Sequence, residues 1–207
     1  MKEQIFLETL TERRLLAIVR GTDADAALRT VITLAEGGVE FIEVSLVTPD
    51  ALRVIRDARQ ALGESAGLGA GTVVTADDAR AAADAGASYL VTPAVSEAVR
   101  TGRDLGLPVL AGALTPTEAV TALGEGATAV KLFPASLGGV RHLRALRDPF
   151  PHIPFVPVGG VGVAEARDYL AADAVAVGVG SPLVGDAAAG GSLDALRERI
   201  KSFLDAL

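Results

Sequence analysis

Eight short runs of apolar, often β-branched residues alternate with alanine-rich stretches of helical periodicity along nearly the whole chain. The runs span residues 15–20, 41–46, 67–73, 89–93, 108–113, 129–134, 154–159 and 174–180. Parallel strands need a crossover between them, so eight consecutive strand–helix units favour a closed (β/α)8 barrel, the TIM barrel. A doubly wound open sheet is the competing architecture.

Start and stop signals mark several of the predicted helices. Side chains that can cap a helix precede four of them, at residues 22–23, 75–78, 96–97 and 115–118. Glycine follows four of them, at residues 37–38, 86, 106 and 126, where a left-handed cap belongs. No linker or change of composition interrupts this pattern, so we expect residues 1–207 to form a single domain.

The first 14 residues predict one more helix ahead of the first strand. Leu7, Leu10 and Leu15 are spaced along one face of this segment. We expect the helix to cover the bottom of the barrel with that face.

Composition excludes several classes of function. Half of the 207 residues are hydrophobic (50%) and 22% are charged, which is typical of a globular protein with a large interior. The net charge of −7 argues against nucleic acid or a membrane surface as a partner. No run approaches the ~18 apolar residues of a membrane span, and residues 1–6 do not resemble a signal peptide. We therefore expect a cytoplasmic protein.

Metal and thiol chemistry have little support. The chain has no cysteine, which excludes disulfides and thiolate catalysis. Only His142 and His152 could offer imidazole to a metal, and both stand beside charged or turn-forming residues. We expect no zinc site, although carboxylates leave magnesium open.

A lysine interrupts one of the apolar runs. The chain has three lysines: Lys2 and Lys201 lie near its ends, and Lys131 lies inside residues 129–134. Desolvating an ammonium is costly and favours the neutral amine, which is the form that attacks a ketone to make a Schiff base. The alternative is a lysine on the solvent side of an edge strand, with its stem on apolar surface and its head in water.

Strand parity brings a carboxylate toward the same place. Residues alternate between the two faces of a strand, so Glu43 points away from the apolar Ile42 and Val44. The apolar pair suits the helix layer, which turns Glu43 toward the barrel axis, and the same parity turns Lys131 inward. Together they could serve as proton shuttle and nucleophile. The alternative is a buried ion pair between Glu43 and Lys131 that serves only the specificity of the fold and takes no part in catalysis.

Glycines after the last two predicted strands indicate an anion site. Gly159 and Gly160 end the seventh strand, and Gly180 and Ser181 end the eighth. Backbone N–H groups at these two positions of a barrel recurrently bind phosphate.

Two further features lie at predicted strand ends. Thr72 follows two glycines in residues 69–73, which either allow close approach of a ligand or form a tight corner of the barrel. Arg20 ends the first strand, where its planar fork could bind a carboxylate or pair with Asp23 or Asp25.

Taken together, these segments resemble the class I 2-keto-3-deoxy-6-phosphogluconate (KDPG) aldolase family over nearly the whole chain. The matching residues are 42–44, 69–73, 91–93, 130–135, 158–161 and 180–181. The resemblance implies that Lys131 forms the Schiff base and that Glu43 is the general acid/base, acting through a water. It implies that Thr72, Pro93 and Phe133 shape the pyruvate pocket, and that the enzyme is a homotrimer without a metal or other cofactor. The implied phosphate-binding residues are Gly159, Gly160, Gly180 and Ser181.

Two positions depart from the gluconate-specific pattern. Val47 stands where that pattern has an arginine that grips the pyruvate carboxylate, and Arg20 is the plausible substitute, as in the related 2-keto-3-deoxy-6-phosphogalactonate (KDPGal) aldolases. Val158 replaces a threonine and is again the galactonate-like choice. The sequence therefore leaves open which C4 epimer is preferred.

The leading hypothesis is an aldolase that cleaves a phosphorylated 2-keto-3-deoxy sugar acid to pyruvate and glyceraldehyde 3-phosphate. A second candidate substrate is 4-hydroxy-2-oxoglutarate, which yields pyruvate and glyoxylate. Two alternatives of other classes are a phosphate-binding barrel isomerase or epimerase and a phosphosugar-binding protein without turnover. Neither of these needs an inward lysine.

Overall fold

The computed structural model describes residues 3–207. Met1 and Lys2 lie outside the described residues, and so does the part of the signal-peptide expectation that concerns them. The strands are β1 (Leu15–Val19), β2 (Phe41–Ser45), β3 (Gly67–Gly71), β4 (Tyr89–Val91), β5 (Val109–Ala113), β6 (Ala129–Leu132), β7 (Phe155–Pro157) and β8 (Val177–Val179). The helices are α1 (Glu3–Arg13), α2 (Ala24–Glu36), α3 (Ala51–Leu62), α4 (Ala76–Asp84), α5 (Glu97–Asp104), α6 (Pro116–Gly124), α7 (Gly139–Arg147), α8 (Val163–Leu170), α9 (Ser181–Val184) and α10 (Leu193–Leu204). Two 3-10 segments cover Ala135–Leu137 and Ala187–Ala189.

The strands form a closed parallel barrel. Each strand from β1 to β6 pairs with the next in the chain, and β8 pairs with β1. A bridge between Val158 and Gly178 joins the remaining edges, beside β7 and β8. This closure confirms the (β/α)8 barrel and excludes the doubly wound open sheet.

Several strands end earlier than their apolar runs predicted. β6 stops at Leu132 rather than at residue 134, and β7 stops at Pro157 rather than at residue 159. The residues beyond these ends leave the sheet and form loops at the carboxyl end of the barrel, where active sites of this fold lie.

The two faces of the barrel pack against different partners. Residues on the outer face, such as Ile42 and Val44, belong to the large core shared with the helices. Inner residues such as Phe41 form a second core with Phe6 and Leu10 of α1. The N-terminal helix thus closes the barrel bottom as expected, although its buried residues are Phe6 and Leu10, with Leu7 half-buried beside them. Leu15 belongs to β1.

The predicted caps are largely as expected. The Asp23 carboxylate accepts a hydrogen bond from the Ala26 N–H (2.6 Å), and Thr75 and Thr115 form capping boxes at α4 and α6. Ser96 precedes α5 but makes no capping hydrogen bond. The predicted glycine stops adopt the left-handed conformation, with φ of +93° at Gly38, +96° at Gly86, +72° at Gly106 and +98° at Gly126. Within residues 3–207, no helix has the length and apolar character needed to cross a membrane.

Candidate active site

Lys131 lies at the centre of the barrel. It is the third residue of β6, paired in register with Gly112 of β5 and Val156 of β7, and it is 6% exposed. Its Nζ is 5.2 Å from the centre of the Phe133 ring, a distance at which an ammonium is attracted to the ring face. A closed barrel has no free edge at β6, so the solvent-facing alternative for this lysine is wrong.

Glu43 shares that interior. It is the third residue of β2, is 1% exposed, and points to the inner face as strand parity predicted. A methyl group at Gly71 of β3 would overlap the Glu43 carboxylate, so the glycine provides the room that this side chain occupies. Gly69 does the same for the ring of Tyr89. The two glycines of this motif thus make space for protein side chains, in addition to any approach by a ligand.

The charge state of Glu43 is set by burial and by two cations. Burial raises the pKa of its carboxyl, while the positive charges of Lys131 and Arg20 act in the opposite direction. Its Oε2 atom is buried and has no hydrogen-bond partner in the structure. A carboxyl with a raised pKa and a free oxygen is suited both to accept and to return a proton near neutral pH.

Thr72 holds a strained backbone conformation directly after β3. Its φ of +59° is unusual for a β-branched residue. The hydroxyls of Thr72 and Ser45 are hydrogen-bonded at 2.7 Å, which ties the end of β3 to the end of β2. Strain of this kind persists where surrounding contacts enforce it, and it clusters at functional sites.

Pro93 is fixed close to the strand that flanks Lys131. The Thr92 hydroxyl accepts a hydrogen bond from the Gly112 N–H (3.3 Å) and donates one to the Ala94 carbonyl (2.6 Å). A side chain at Gly112 would collide with the carbonyl of Pro93, so this glycine lets the loop after β4 lie against β5. Gly112 is the register partner of Lys131, which brings Pro93 near the lysine.

The predicted anion-binding residues line one cavity of about 230 Å³ beside β7, β8 and β1. Gly159 and Gly160 have φ of +99° and +74°, a conformation that favours glycine. Arg20 and Phe133 reach the same cavity, which links it to the lysine. Of the predicted residues, it includes Arg20, Phe133, Val158, Gly159, Gly160, Gly180 and Ser181. Thr72 and Pro93 are outside this lining, on the loops after β3 and β4.

Arg20 is available for an anion. The two carboxylates that could have neutralised it are engaged elsewhere, because Asp23 caps α2 and Asp25 pairs with Arg53 at 2.9 Å. Val47, at the position of the family's arginine, is 60% exposed and apolar. Arg20 therefore supplies positive charge at the cavity.

The structure does not gather metal ligands among residues 3–207, where no three His, Asp or Glu side chains converge. His142 is engaged with the Leu114 carbonyl, 2.7 Å from its Nε2. A larger hollow of about 610 Å³ lies at the opposite end of the barrel, lined largely by apolar residues around α1 and the start of β3. It contains none of the predicted site residues.

Two neighbours of the site were missed by sequence reasoning. Tyr89 is wholly buried beside Glu43, and Ser45 holds Thr72. The signal for both was strand parity, since each occupies an inward position, but a single tyrosine or serine in an apolar run is more often a packing residue.

Comparison with known proteins gives a consistent relationship. Residues 6–196 match the aldolase family described as KDPG and KHG aldolase. The chain is 34% identical over 198 residues, 95% of each protein, to the 2-dehydro-3-deoxy-6-phosphogalactonate aldolase of Escherichia coli. It is 37% identical over 174 residues to a probable enzyme of the same name from Rhizobium meliloti, covering 83% of this chain and 82% of that protein.

Solved structures agree with the sequence matches. A native KDPGal structure superposes with a TM-score of 0.87 at 34% identity, covering 93% of both chains. A KDPG aldolase from Legionella pneumophila superposes with a TM-score of 0.84 at 26% identity, covering 96% of this chain and 95% of that one. In that structure, pyruvate was captured as a covalent carbinolamine intermediate.

Proposed function

Because the chain belongs to the KDPG and KHG aldolase family, we propose that it cleaves KDPG or KDPGal to pyruvate and glyceraldehyde 3-phosphate. The enzyme is a lyase, a class I aldolase. The observation that carries the proposal is the pair Lys131 and Glu43, an amine and a carboxyl that are buried in one barrel interior next to a glycine-lined cavity. An amine, a proton shuttle and an anion site are the parts that Schiff-base cleavage of a phosphorylated keto acid needs.

The proposed reaction starts at Lys131. Its Nζ attacks the C2 ketone to form a carbinolamine, which loses water to give a protonated imine. Glu43, through a water, takes the proton of the C4 hydroxyl. The C3–C4 bond then breaks, its electrons pass to the imine as an enamine, and the aldehyde leaves. Glu43 returns a proton to C3, and water hydrolyses the imine to release pyruvate and the free amine.

Substrate binding is assigned to the residues around this pair. Arg20 would hold the carboxylate next to C2, because its charge acts on Glu43 and it lines the cavity. Thr72, Pro93 and Phe133 would shape the pyruvate pocket. The backbone of the glycine loops would bind the phosphate. These loops are formed by Gly159, Gly160, Gly180 and Ser181.

Trapping of the Schiff base tests the proposal. Borohydride in the presence of pyruvate should add one reduced pyruvate adduct to the peptide that contains Lys131, detected by mass spectrometry. Lys131→Met should lose both the adduct and turnover. Lys201→Met is the matched control, since Lys201 is an exposed residue that pairs with Asp205, and it should keep both. Failure of the wild type to form an adduct, or turnover by Lys131→Met, would refute the mechanism.

The same experiment separates the other classes. An isomerase or epimerase that works through carboxylates would be insensitive to borohydride, and a binding protein without turnover would release no pyruvate. The substrate 4-hydroxy-2-oxoglutarate has no phosphate that the glycine-lined cavity could bind. We therefore expect it to be turned over more slowly than the phosphorylated substrates, which a side-by-side measurement of pyruvate release would check.

Val158 and Arg20 bear on which C4 epimer the enzyme prefers. At both positions the chain resembles the KDPGal aldolases. Val158 is inward and 5% exposed at the edge of the cavity, so it offers no hydroxyl to the sugar-derived part of the substrate. One missing hydrogen bond changes discrimination by up to a few kcal/mol. Pyruvate release from the two epimers, measured together, identifies the preferred one and with it a role in gluconate or galactonate breakdown.

The proposal includes a homotrimer and a cytoplasmic location. The cytoplasmic location follows from the substrate, since a phosphorylated sugar acid does not cross a lipid bilayer unaided. The number of three subunits is what the family resemblance implies. One structural relative with a TM-score of 0.86, a cage designed by fusing symmetric oligomeric domains, supports a symmetric oligomer. Large apolar side chains on the surface, such as Leu137 (70% exposed) and Val120 (51%), agree with assembly.

A further inference from the structure

Tyr89 is held rigidly inside the barrel beneath the catalytic pair. It is the first residue of β4, faces inward and is fully buried. Its ring contacts Phe6 of α1 (centroids 5.1 Å apart) and Phe41 of β2 (6.0 Å). Packing against two aromatic rings on the floor of the barrel fixes the direction of the phenol.

The inner face of β3 places this phenol beside Glu43. Gly69 is paired in register with Glu43 on one side and with Tyr89 on the other. A methyl group at Gly69 would collide with the ring of Tyr89, including the carbon that bears the hydroxyl, and one at Gly71 would collide with the Glu43 carboxylate. The phenol and the carboxylate therefore lie side by side along one strand, in the room that two alternate glycines leave.

Both groups have an unused polar atom. The Tyr89 hydroxyl and Oε2 of Glu43 are buried, and neither has a hydrogen-bond partner. Native structures rarely leave a buried hydroxyl or carboxylate oxygen unsatisfied, and two such atoms in one enclosed space can satisfy each other directly or share one water.

We propose that Tyr89 is a positioning residue for Glu43, with its phenol donating a hydrogen bond toward Oε2 through one bridging water. This inference rests on the proposed role of Glu43 in proton transfer. The hydrogen bond orients the carboxylate and favours its ionised form, which is the form that takes the C4 hydroxyl proton. Tyr89 touches no substrate atom and acts only through Glu43.

The other groups that act on Glu43 do not replace this one. Lys131 on β6 and Arg20 after β1 are the cations whose charges reach it, and Tyr89 on β4 is a titratable group on which the charge of Glu43 acts. Burial, and secondarily the charge of Glu43, raises the pKa of Tyr89 well above its usual value. The phenol therefore keeps its proton and stays a donor throughout the working pH range.

Tyr89→Phe tests the inference because it keeps the ring and removes only the hydroxyl. We expect the acid limb of the kcat/KM profile to move up by about half a pH unit or more, since the ionised carboxylate loses a donor. At neutral pH, kcat/KM should fall about threefold to tenfold. The matched control is Tyr169→Phe, whose hydroxyl donates to the Ala135 carbonyl (2.9 Å) on the helix side of the barrel. Its acid limb should stay at the wild-type position.

A purely structural role gives a different result. If the Tyr89 hydroxyl has no partner, Tyr89→Phe removes an unsatisfied buried group, so it should leave the acid limb in place and raise Tm. That combination would overturn the inference. It would leave the proposed function intact, provided that Glu43→Gln still abolishes turnover. Turnover by Glu43→Gln would instead refute the role of Glu43 itself.

A spectroscopic measurement gives a second, independent outcome. The chain has only two tyrosines, so ¹³Cζ-labelled tyrosine gives two signals, and the Tyr89→Phe variant identifies one of them. The Tyr89 signal should shift as Glu43 titrates in the wild type, and this shift should be absent in Glu43→Gln. A Tyr89 signal that does not respond to the titration of Glu43 would contradict the inference.

Discussion

At the scale of single residues, burial of Glu43 in the candidate active site has a cost to folding. Glu43 sits among apolar strands with 1% of its surface exposed, and one carboxylate oxygen has no partner. Burial raises the pKa of this group despite two nearby cations, so its ionised form is less favourable in the folded chain than in the unfolded chain. Function and stability therefore oppose each other at this position.

Glu43→Gln should separate the two effects. Loss of the proton shuttle should lower kcat by about 10²- to 10⁴-fold. The folded chain binds the Glu43 proton more tightly than the unfolded chain, so wild-type stability is lost as pH rises from the unfolded pKa through the raised folded pKa. The neutral amide avoids this loss, so at pH 8 the variant should melt at a higher temperature than the wild type.

Thermal melts at pH 8 and near pH 4 check the sign of this effect. The advantage of the variant should shrink at the lower pH, where the carboxyl of the wild type is protonated in both states. A variant that melts below the wild type at pH 8, or a difference that ignores pH, would show that Glu43 carries no net cost when ionised.

Residue identity and strand parity were enough to predict that Lys131 and Glu43 share the interior of the barrel. Lys131 and Glu43 are charged residues in apolar runs, and alternation along each strand gives the direction in which they point. Tyr89 could not be predicted in the same way, because its role depends on which side chains the neighbouring strands bring to it. The same holds for Ser45, which is connected to Thr72 only through the pairing of β2 with β3.

At the scale of elements, β3 is an unusual strand. Its sequence is Gly-Leu-Gly-Ala-Gly, and glycine weakens a strand by removing side-chain packing and adding backbone freedom. The three glycines alternate, and a methyl group at each would collide with part of a neighbouring strand: Phe41 and the residue before it, Tyr89, or Glu43. The inner face of β3 therefore leaves room for the aromatic rings of Phe41 and Tyr89 and for the Glu43 carboxyl.

Gly71→Ala should show that this room is needed. The added methyl group would overlap the Glu43 carboxylate, which must move away from its present position. Overpacking of this kind costs about 1–3 kcal/mol. We expect kcat to fall about 10- to 100-fold, because a misplacement of a reacting group by about 1 Å can reduce the rate by that factor. Circular dichroism melts and pyruvate release measure the two effects.

Gly124→Ala is the matched control for this substitution. Gly124 ends α6, has no atom within 4 Å of the place where a methyl group would lie, and needs no left-handed backbone. Alanine favours helices over glycine by about 1 kcal/mol. The control should melt at or slightly above the wild-type temperature with unchanged turnover; full activity of Gly71→Ala as well would mean that Glu43 relocates without consequence.

Helix boundaries were more predictable than strand ends. Caps such as Asp23 and stops such as Gly38 depend on backbone chemistry within a few residues, so the sequence contains the necessary signal. β6 ends two residues before the end of its apolar run because Phe133 and Pro134 leave the sheet, and Phe133 lines the cavity. An apolar loop residue at a ligand cavity resembles a strand residue in sequence, and only the barrel around it tells the two apart.

At the scale of the molecule, the closed barrel converts eight separate strand ends into one site. Chain order and strand parity predicted a closed barrel. In such a barrel, β2 and β6 face each other across a common interior. The packing of Phe6 against Phe41, with ring centroids 5.3 Å apart, was harder to predict from the sequence, because it joins the N-terminal helix to the floor of the barrel. Because α1 closes the bottom of the barrel, the carboxyl end is the open mouth, and Arg20 supplies positive charge there in a chain of net charge −7.

The proposed homotrimer is the prediction that belongs to this scale. An assembly that covers exposed apolar side chains removes them from water, and the exposed set includes Val120 (51%) and Leu137 (70%). Light scattering coupled to size exclusion should give three times the mass of one chain. Tm should also rise with protein concentration, because association occurs only in the folded state. A single-chain mass with a concentration-independent Tm would contradict the trimer, and it would leave the chemistry of Lys131 and Glu43 within one barrel unaffected.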